Sequence, residues 1–164
     1  MFNSHSRNPR KSVARALLLT LTIAGAAGCT PKAELGNDPK TVVNEYISKS
    51  FQIKAPSEKE ALLGYLTKEA KSRLAAWSDD QFREAFIENK REFLTLAFKE
   101  SKPVSPDEVN VTYELSYLDH AKGHDAKVTQ KKLAQVVREQ GRWMISDVQN
   151  IKELVEYRNE MSLP

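Results

Sequence analysis

Two acid–imidazole pairs lie close together in the chain, Asp119-His120 and His124-Asp125, on either side of Gly123. Oxygen and nitrogen ligands this near to one another could hold zinc or another divalent cation. The spacing matches no helical histidine pair, however, and Gly123 signals a turn, which need not converge the four side chains. Polar residues at an exposed turn need no functional reason. The reading is a hairpin loop with no metal and no cofactor. The only other histidine is His5. A Ser-His-Asp triad would therefore have to draw on this loop, and no nucleophile motif supports one. The remaining reactive group is Cys29, the single cysteine.

What precedes Cys29 gives it a role. Arg7, Arg10, Lys11 and Arg15 form a basic start without an acid, Ala16 to Ala27 is mainly apolar, and Ala26-Ala27-Gly28 are small. This is the layout of a bacterial export signal. It resembles a lipoprotein signal, in which the cysteine thiol is acylated and becomes the new N-terminus. Ala26 stands where such signals usually carry Leu. An ordinary cleaved signal is the alternative, although a free lone thiol would be unusual in an oxidising compartment. A transmembrane anchor fits poorly, since a spanning helix needs about 20 apolar residues. Thr30 after the cysteine, rather than Asp, implies an outer-membrane address facing the periplasm. The expected organisation is a signal peptide over 1–28, a lipidated tether over 29–37 and one folded domain over 38–164. Eight residues after the cysteine reach at most about 29 Å, which keeps the domain near the membrane.

Removing residues 1–28 takes four of the 25 basic residues and none of the 22 acidic ones, which leaves 21 against 22 and a net charge of −1. The basic balance belongs to the export signal, so nucleic acid is not an expected partner. Lys131-Lys132 is too small a cluster to change that, and the charge run Glu88-Asn89-Lys90-Arg91-Glu92 reads as a solvated face with helical pairs. With Cys29 acylated there is no disulfide, and stability must come from packing.

The elements that would position any site are helical first. Asp38-Pro39 can open a helix whose stripe is Val42, Val43, Tyr46, Ile47 and Phe51. Pro56 breaks it, Ser57-Glu58-Lys59-Glu60 reads as a capping box, Thr67 can cap a third helix, and Ser78-Asp79-Asp80-Gln81 is another box. Leu94, Leu96 and Phe98 then alternate as in a strand, and Pro103 and Pro106 are expected to stop it. Val109, Val111, Tyr113, Leu115 and Tyr117 alternate with polar residues as a half-buried strand. Ala126 to Glu139 runs back, Gly141-Arg142 turns, and Trp143 to Val148 is the last strand. Ile151, Leu154, Val155 and Arg158 suggest a short closing helix. Helices followed by an antiparallel meander make an α+β fold, with N-terminal helices packed on a curved antiparallel β-sheet.

The ending Gln140-Gly141-Arg142-Trp143-Met144-Ile145-Ser146-Asp147-Val148 resembles the last hairpin of nuclear-transport-factor-2-like (cystatin-like) domains, whose final strand typically carries Gly-x-Trp-x-Ile. The resemblance implies a cone-like cavity between helices and sheet, and bacterial lipoproteins of this kind include domains without assigned function. Tyr46, Trp77, Tyr113, Tyr117 and Trp143 could line such a cavity, or could simply be core. Asp147, in alternation with Trp143 and Ile145, could point inward, where burial would raise its pKa and suit acid/base work. The alternative is an Asp paired with a nearby Lys or Arg. No catalytic residue transfers by position. The expectation is a membrane-anchored, non-enzymatic module for a small molecule or an envelope protein; the alternative is a small lyase, isomerase or hydrolase using an acidic residue in the cavity. Leu133 and Val137 lie on the sheet face opposite Val128, Ala134 and Val136, so a homodimer or envelope partner on that face is a further expectation.

Overall fold

The computed structural model describes residues 38–123 and 126–157. The expectations that fall on residues 1–37, the export signal, Cys29 lipidation and the tether, lie outside the described residues, as do His124, Asp125 and Arg158. Helices come first: α1 (Pro39–Ser50), a 3₁₀ turn (Pro56–Glu58), α2 (Lys59–Leu63), α3 (Lys68–Ala75) and α4 (Asp79–Arg83), which runs on into a π-helical turn (Glu84–Glu88). Four strands follow, β1 (Arg91–Ser105), β2 (Glu108–Asp119), β3 (Ala126–Glu139) and β4 (Arg142–Tyr157). They form one antiparallel sheet in the order β1-β2-β3-β4. The described chain is therefore α+β, with the helices preceding a four-stranded meander.

Local chemistry sets most of the boundaries. Asp38 caps α1, its Oδ2 accepting from the Lys40 and Thr41 amides at 3.0 Å each, and Pro39 occupies the first turn, where its missing N–H costs nothing. Ser78 and Gln81 form the expected reciprocal capping box of α4. The other two expected caps differ. Glu58, not Ser57, serves the second start: its carboxylate accepts from the Lys54 and Ala55 amides at 2.8 and 3.2 Å and from Lys49 Nζ at 3.0 Å. Thr67 precedes α3, but its hydroxyl donates to Glu139 Oε2 at 2.8 Å and makes no cap bond.

The core lies between the helices and one sheet face. Val42, Val43 and Ile47 of α1 join Leu62, Leu63, Leu66, Ala70, Leu74 and Phe82, all buried. They meet Val111, Val128, Val136 and Ile145 from the sheet. Alternation along each strand and the register that aligns Val111 with Ala134 and Val109 with Val136 bring these residues to a common face. Each aliphatic side chain fully buried there contributes about 1.5–3 kcal/mol.

Two expectations are corrected. β1 does not stop at Pro103 but continues to Ser105, with Pro103 opposite Val109; β1 is an edge strand, where a missing ladder donor is tolerated. The closing helix expected from Ile151, Leu154 and Val155 is instead the second half of β4, which reaches Tyr157. The cause is a register shift: Lys131 faces Lys152 whereas Lys132 faces Asn150, so Ile151 is an extra residue in β4. A bulge inserts one residue and resets which side the following residues take. Apolar side chains on either side of it thereby acquire spacings that imitate a helix.

A second bulge in β4 falls at Ser146, whose hydroxyl donates to the Gln135 carbonyl at 3.1 Å. Beside it the chain before α3 covers the outer edge of β4. Ile145 N–H donates to the Tyr65 carbonyl and Thr67 N–H to the Ile145 carbonyl, both at 2.9 Å, as a parallel bridge between Leu66 and Ile145. The β3–β4 hairpin turns through Gln140 and Gly141, both with positive φ of 51° and 81°, the two-residue geometry that matches strand twist.

Candidate functional site

A cleft of about 390 Å³ lies between the helices and the sheet. Tyr46, Ile47 and Ser50 of α1, with Phe51, line it from the helical side. Trp77, Ala85, Phe86 and Asn89, around α4 and the π-helical turn, complete that wall. The sheet supplies Arg91, Tyr113, Leu115, Tyr117, Gln130, Lys132 and Val148. Their placement follows from the ladder. Tyr113, Leu115 and Tyr117 share a face because side chains alternate, and Tyr113 stands opposite Lys132 and Leu115 opposite Gln130. Lys132 and Gln130 must therefore face the helices as well. Arg91 is two residues before Phe93, which stands opposite Tyr117.

The site is cationic and aromatic. The Arg91 guanidinium lies 6.0, 5.8 and 5.7 Å from the ring centres of Phe51, Phe86 and Tyr117, close enough for cation–π attraction, and it donates to the Ala85 carbonyl. Among the described residues no carboxylate lies within 4.0 Å of Arg91 or of Lys132. Burial lowers the Lys132 pKa, the charge of Arg91 lowers it further, and Glu153 opposes both. Glu153 itself is held by Gln130 Nε2 at 2.6 Å and Lys122 Nζ at 2.9 Å, bonds that keep its carboxyl below the usual range. Burial pushes the phenols of Tyr46, Tyr113 and Tyr117 upward. They are neutral hydrogen-bonding groups and not bases. No Asp or Glu is among the described residues lining the cleft.

Of the residues singled out in the sequence, Tyr46, Trp77, Tyr113 and Tyr117 line this cleft. Trp143 and Asp147 do not. Trp143 is buried with Arg138 stacked over its ring at 4.8 Å. Asp147 pairs with Arg73 and accepts from Gln149 Nε2 at 3.2 Å. Its pKa is lowered, first by the Arg73 bond, which is the alternative of an Asp paired with a nearby Lys or Arg and not the rise that an inward position would bring. The bulge at Ser146 explains the displacement: Asp147 comes to lie opposite Gln135, and Val148 takes the cleft-facing place opposite Ala134.

The Asp119 side chain closes its own turn, Oδ1 accepting from the Ala121 amide at 3.1 Å, and His120 Nε2 stands 4.0 Å from Glu92. His124 and Asp125 lie outside the described residues, and no cluster of metal-ligating side chains forms among those that are described.

Arg91, Gln130 and Lys132 were not singled out by the sequence reading, which placed Arg91 in a solvated charge run and Lys132 in a small basic cluster. One signal could have found two of them. Gln130 and Lys132 have the same parity as Val128, Ala134 and Val136, the apolar face of their strand.

Among the described residues no helix is long and apolar enough to cross a membrane. No protein-family model matches the sequence, and no curated protein matches it. The chain is similar in structure to a SEC-C motif containing protein from Rhodopseudomonas palustris, known from its solution structure, with a TM-score of 0.54 and 15% identity over 71% of this chain and 80% of that one. At that identity the likeness shows a shared fold, the α+β arrangement of helices and antiparallel sheet.

Proposed function

We propose that the chain is a membrane-anchored bacterial envelope lipoprotein whose folded domain is a non-enzymatic module binding a small molecule in the cleft. In this reading the export segment is removed, Cys29 carries the lipid, and the short tether holds the module close to the periplasmic side of the outer membrane. The domain is read as nuclear-transport-factor-2-like, its sheet curved into a cone. Bulges in β1 and β4 support the curvature, since each bends its strand and increases local twist.

The observation that carries the reading is the cleft itself. A concavity of about 390 Å³ with an aromatic and aliphatic wall and a few converging polar groups is the ordinary form of a small-molecule site. The lining favours binding over the alternative of a lyase, isomerase or hydrolase driven by an acid, since that chemistry needs a carboxylate at the reacting centre. The opposite sheet face mixes Lys99–Glu114 and Lys127–Glu156 ion pairs and a Ser116–Thr129 hydroxyl contact with Leu133, Val137 and the half-exposed Leu154, and a homodimer or envelope partner on that face is the second reading.

Two experiments test the two halves of the proposal. Trp77 lines the cleft and Trp143 does not, and the chain has only these two tryptophans. A Trp143→Phe variant therefore reports on the cleft alone. Saturable fluorescence changes with members of a panel of small aromatic and aliphatic compounds, abolished when Ala85→Phe fills the cleft, are expected. No response across the panel would overturn the binding module. For the anchor, intact mass of membrane-extracted protein should give a chain beginning at Cys29 with added acyl mass, absent in Cys29→Ser. A soluble chain cut elsewhere with a free thiol would refute it.

A further inference from the structure

We infer that the cleft is an anion site in which Arg91 and Lys132 together hold the carboxylate of a small organic acid, its apolar body lying against Phe51, Phe86 and Trp77. This rests on the cleft being a binding site and names the class of molecule it takes.

The argument begins with a conflict of charge. Arg91 and Lys132 line the same partly buried cleft, and Arg91 acts on Lys132 as a like charge. Neither has a carboxylate within 4.0 Å among the described residues. Two cations drawn from water into one concavity repel each other and lose hydration. An anion between them relieves both costs, and an interior charge is ordinarily paired. Glu153, the carboxylate whose charge acts on Lys132, is already engaged by Gln130 and Lys122.

The surroundings then choose among anions. A guanidinium among three aromatic rings is poorly hydrated, and its planar fork matches a carboxylate. Glu153 already offsets part of the field at Lys132, so one further negative charge suffices where a phosphate dianion would bring two. The phenols of Tyr46, Tyr113 and Tyr117 add neutral hydrogen-bonding groups along the same wall. Ser50, Asn89 and Gln130 add further polar groups, and the remaining lining, from Ile47 and Phe51 to Leu115 and Val148, is apolar and rewards a hydrocarbon or aromatic body. A cavity of about 390 Å³ limits that body to a small molecule.

The test is titration calorimetry of the full-length chain with 4-phenylbutyrate and octanoate, with their neutral amides, and with inorganic phosphate. The acids should bind at least ~10-fold more tightly than the amides, because a charge-assisted bond to two cations is lost in the amide. Lys132→Met should remove most of that preference, read as the ratio of acid to amide affinity within the variant, since the replacement keeps the length of the side chain and deletes the charge. Arg91→Met should act likewise, with circular dichroism checking its fold because Arg91 also bonds the Ala85 carbonyl. Amides binding as tightly as acids would overturn the anion site and leave the small-molecule module standing. Acid preference undiminished in Lys132→Met would overturn it as well. Phosphate binding as tightly as the acids would replace the organic acid by an inorganic anion. Binding of none of the probes would count against both the anion site and the module.

Discussion

Replacing Lys132 by methionine should stabilise the protein when no ligand is added. The ammonium of Lys132 is disfavoured first by burial and then by Arg91, with Glu153 as partial compensation. Methionine keeps most of the stem in contact with the cleft and removes the charge. Exchanging a buried ionic group for an apolar one of similar volume can stabilise by 1–4 kcal/mol in favourable cases. Lys132 is only partly buried and Glu153 offsets part of its cost, so the gain belongs at the low end, about 1 kcal/mol. In a domain of this size that is a rise of roughly 3–5 °C in Tm. The pH dependence supplies a sharper check. A lysine is near 10.4 when unfolded, and Lys132 lies lower in the folded chain. The penalty is complete below the folded value and is relieved as pH rises from there to the unfolded value, because the unfolded state then binds the extra proton. The wild type should gain on the variant over that alkaline window. Urea denaturation at pH 7 and near pH 10.5, followed by tryptophan fluorescence, measures both gaps. A variant less stable than wild type at pH 7, or an advantage unchanged at pH 10.5, would refute the reasoning.

Three further outcomes are expected. Phe82 is fully buried and its ring centre stands 4.7 Å from that of Phe86, a wall of the cleft, so Phe82→Ala should cost about 3–5 kcal/mol in chemical denaturation; a loss below about 1 kcal/mol would show that this packing is not as described. Ser78→Ala removes the acceptor for the Gln81 amide and should cost about 1 kcal/mol, with near-wild-type stability in the single variant Ser78→Asp as the control. The Glu58 carboxyl is lowered from about 4.5 to about 2, chiefly by the Lys54 amide and then by Lys49. Its contribution to stability is present above the unfolded value and lost as pH falls through the folded one. Carbon-detected NMR should place its midpoint near 2, and Glu58→Gln should flatten this part of the acid-unfolding profile.

The fold was readable wherever one physical signal acted alone. The strict alternation from Val109 to Tyr117 became β2, and Ser78 with Gln81 became the cap of α4, because neither depends on distant residues. The order of helices and then strands followed from the same local signals. The second half of β4 was misread because the extra residue at Ile151 shifts parity, and the resulting spacing of Ile151, Leu154 and Val155 suits a helix better than a strand. The same kind of shift at Ser146 moved Asp147 away from the cleft and put Val148 there. The aromatic part of the site could be foreseen, since tyrosines on an alternating strand share a face. Its cations were hidden by their neighbours: Arg91 sits in a run of charges, and Lys132 follows Lys131. Parity with Val128 and Ala134 separates Lys132 from Lys131, whereas Arg91 is placed only by the register of β1 on β2.

The bridge between Leu66 and Ile145 has a consequence for how the molecule comes apart. Because main-chain bonds run both ways from Ile145 to Tyr65 and Thr67, the helical layer is laced to the sheet as well as packed on it. It cannot lift away to leave a standing sheet without breaking backbone hydrogen bonds. Amide protons of Thr67 and Ile145 should consequently exchange with solvent at one common, slow rate, set by global opening and not by local fraying. The two layers then share one unfolding event.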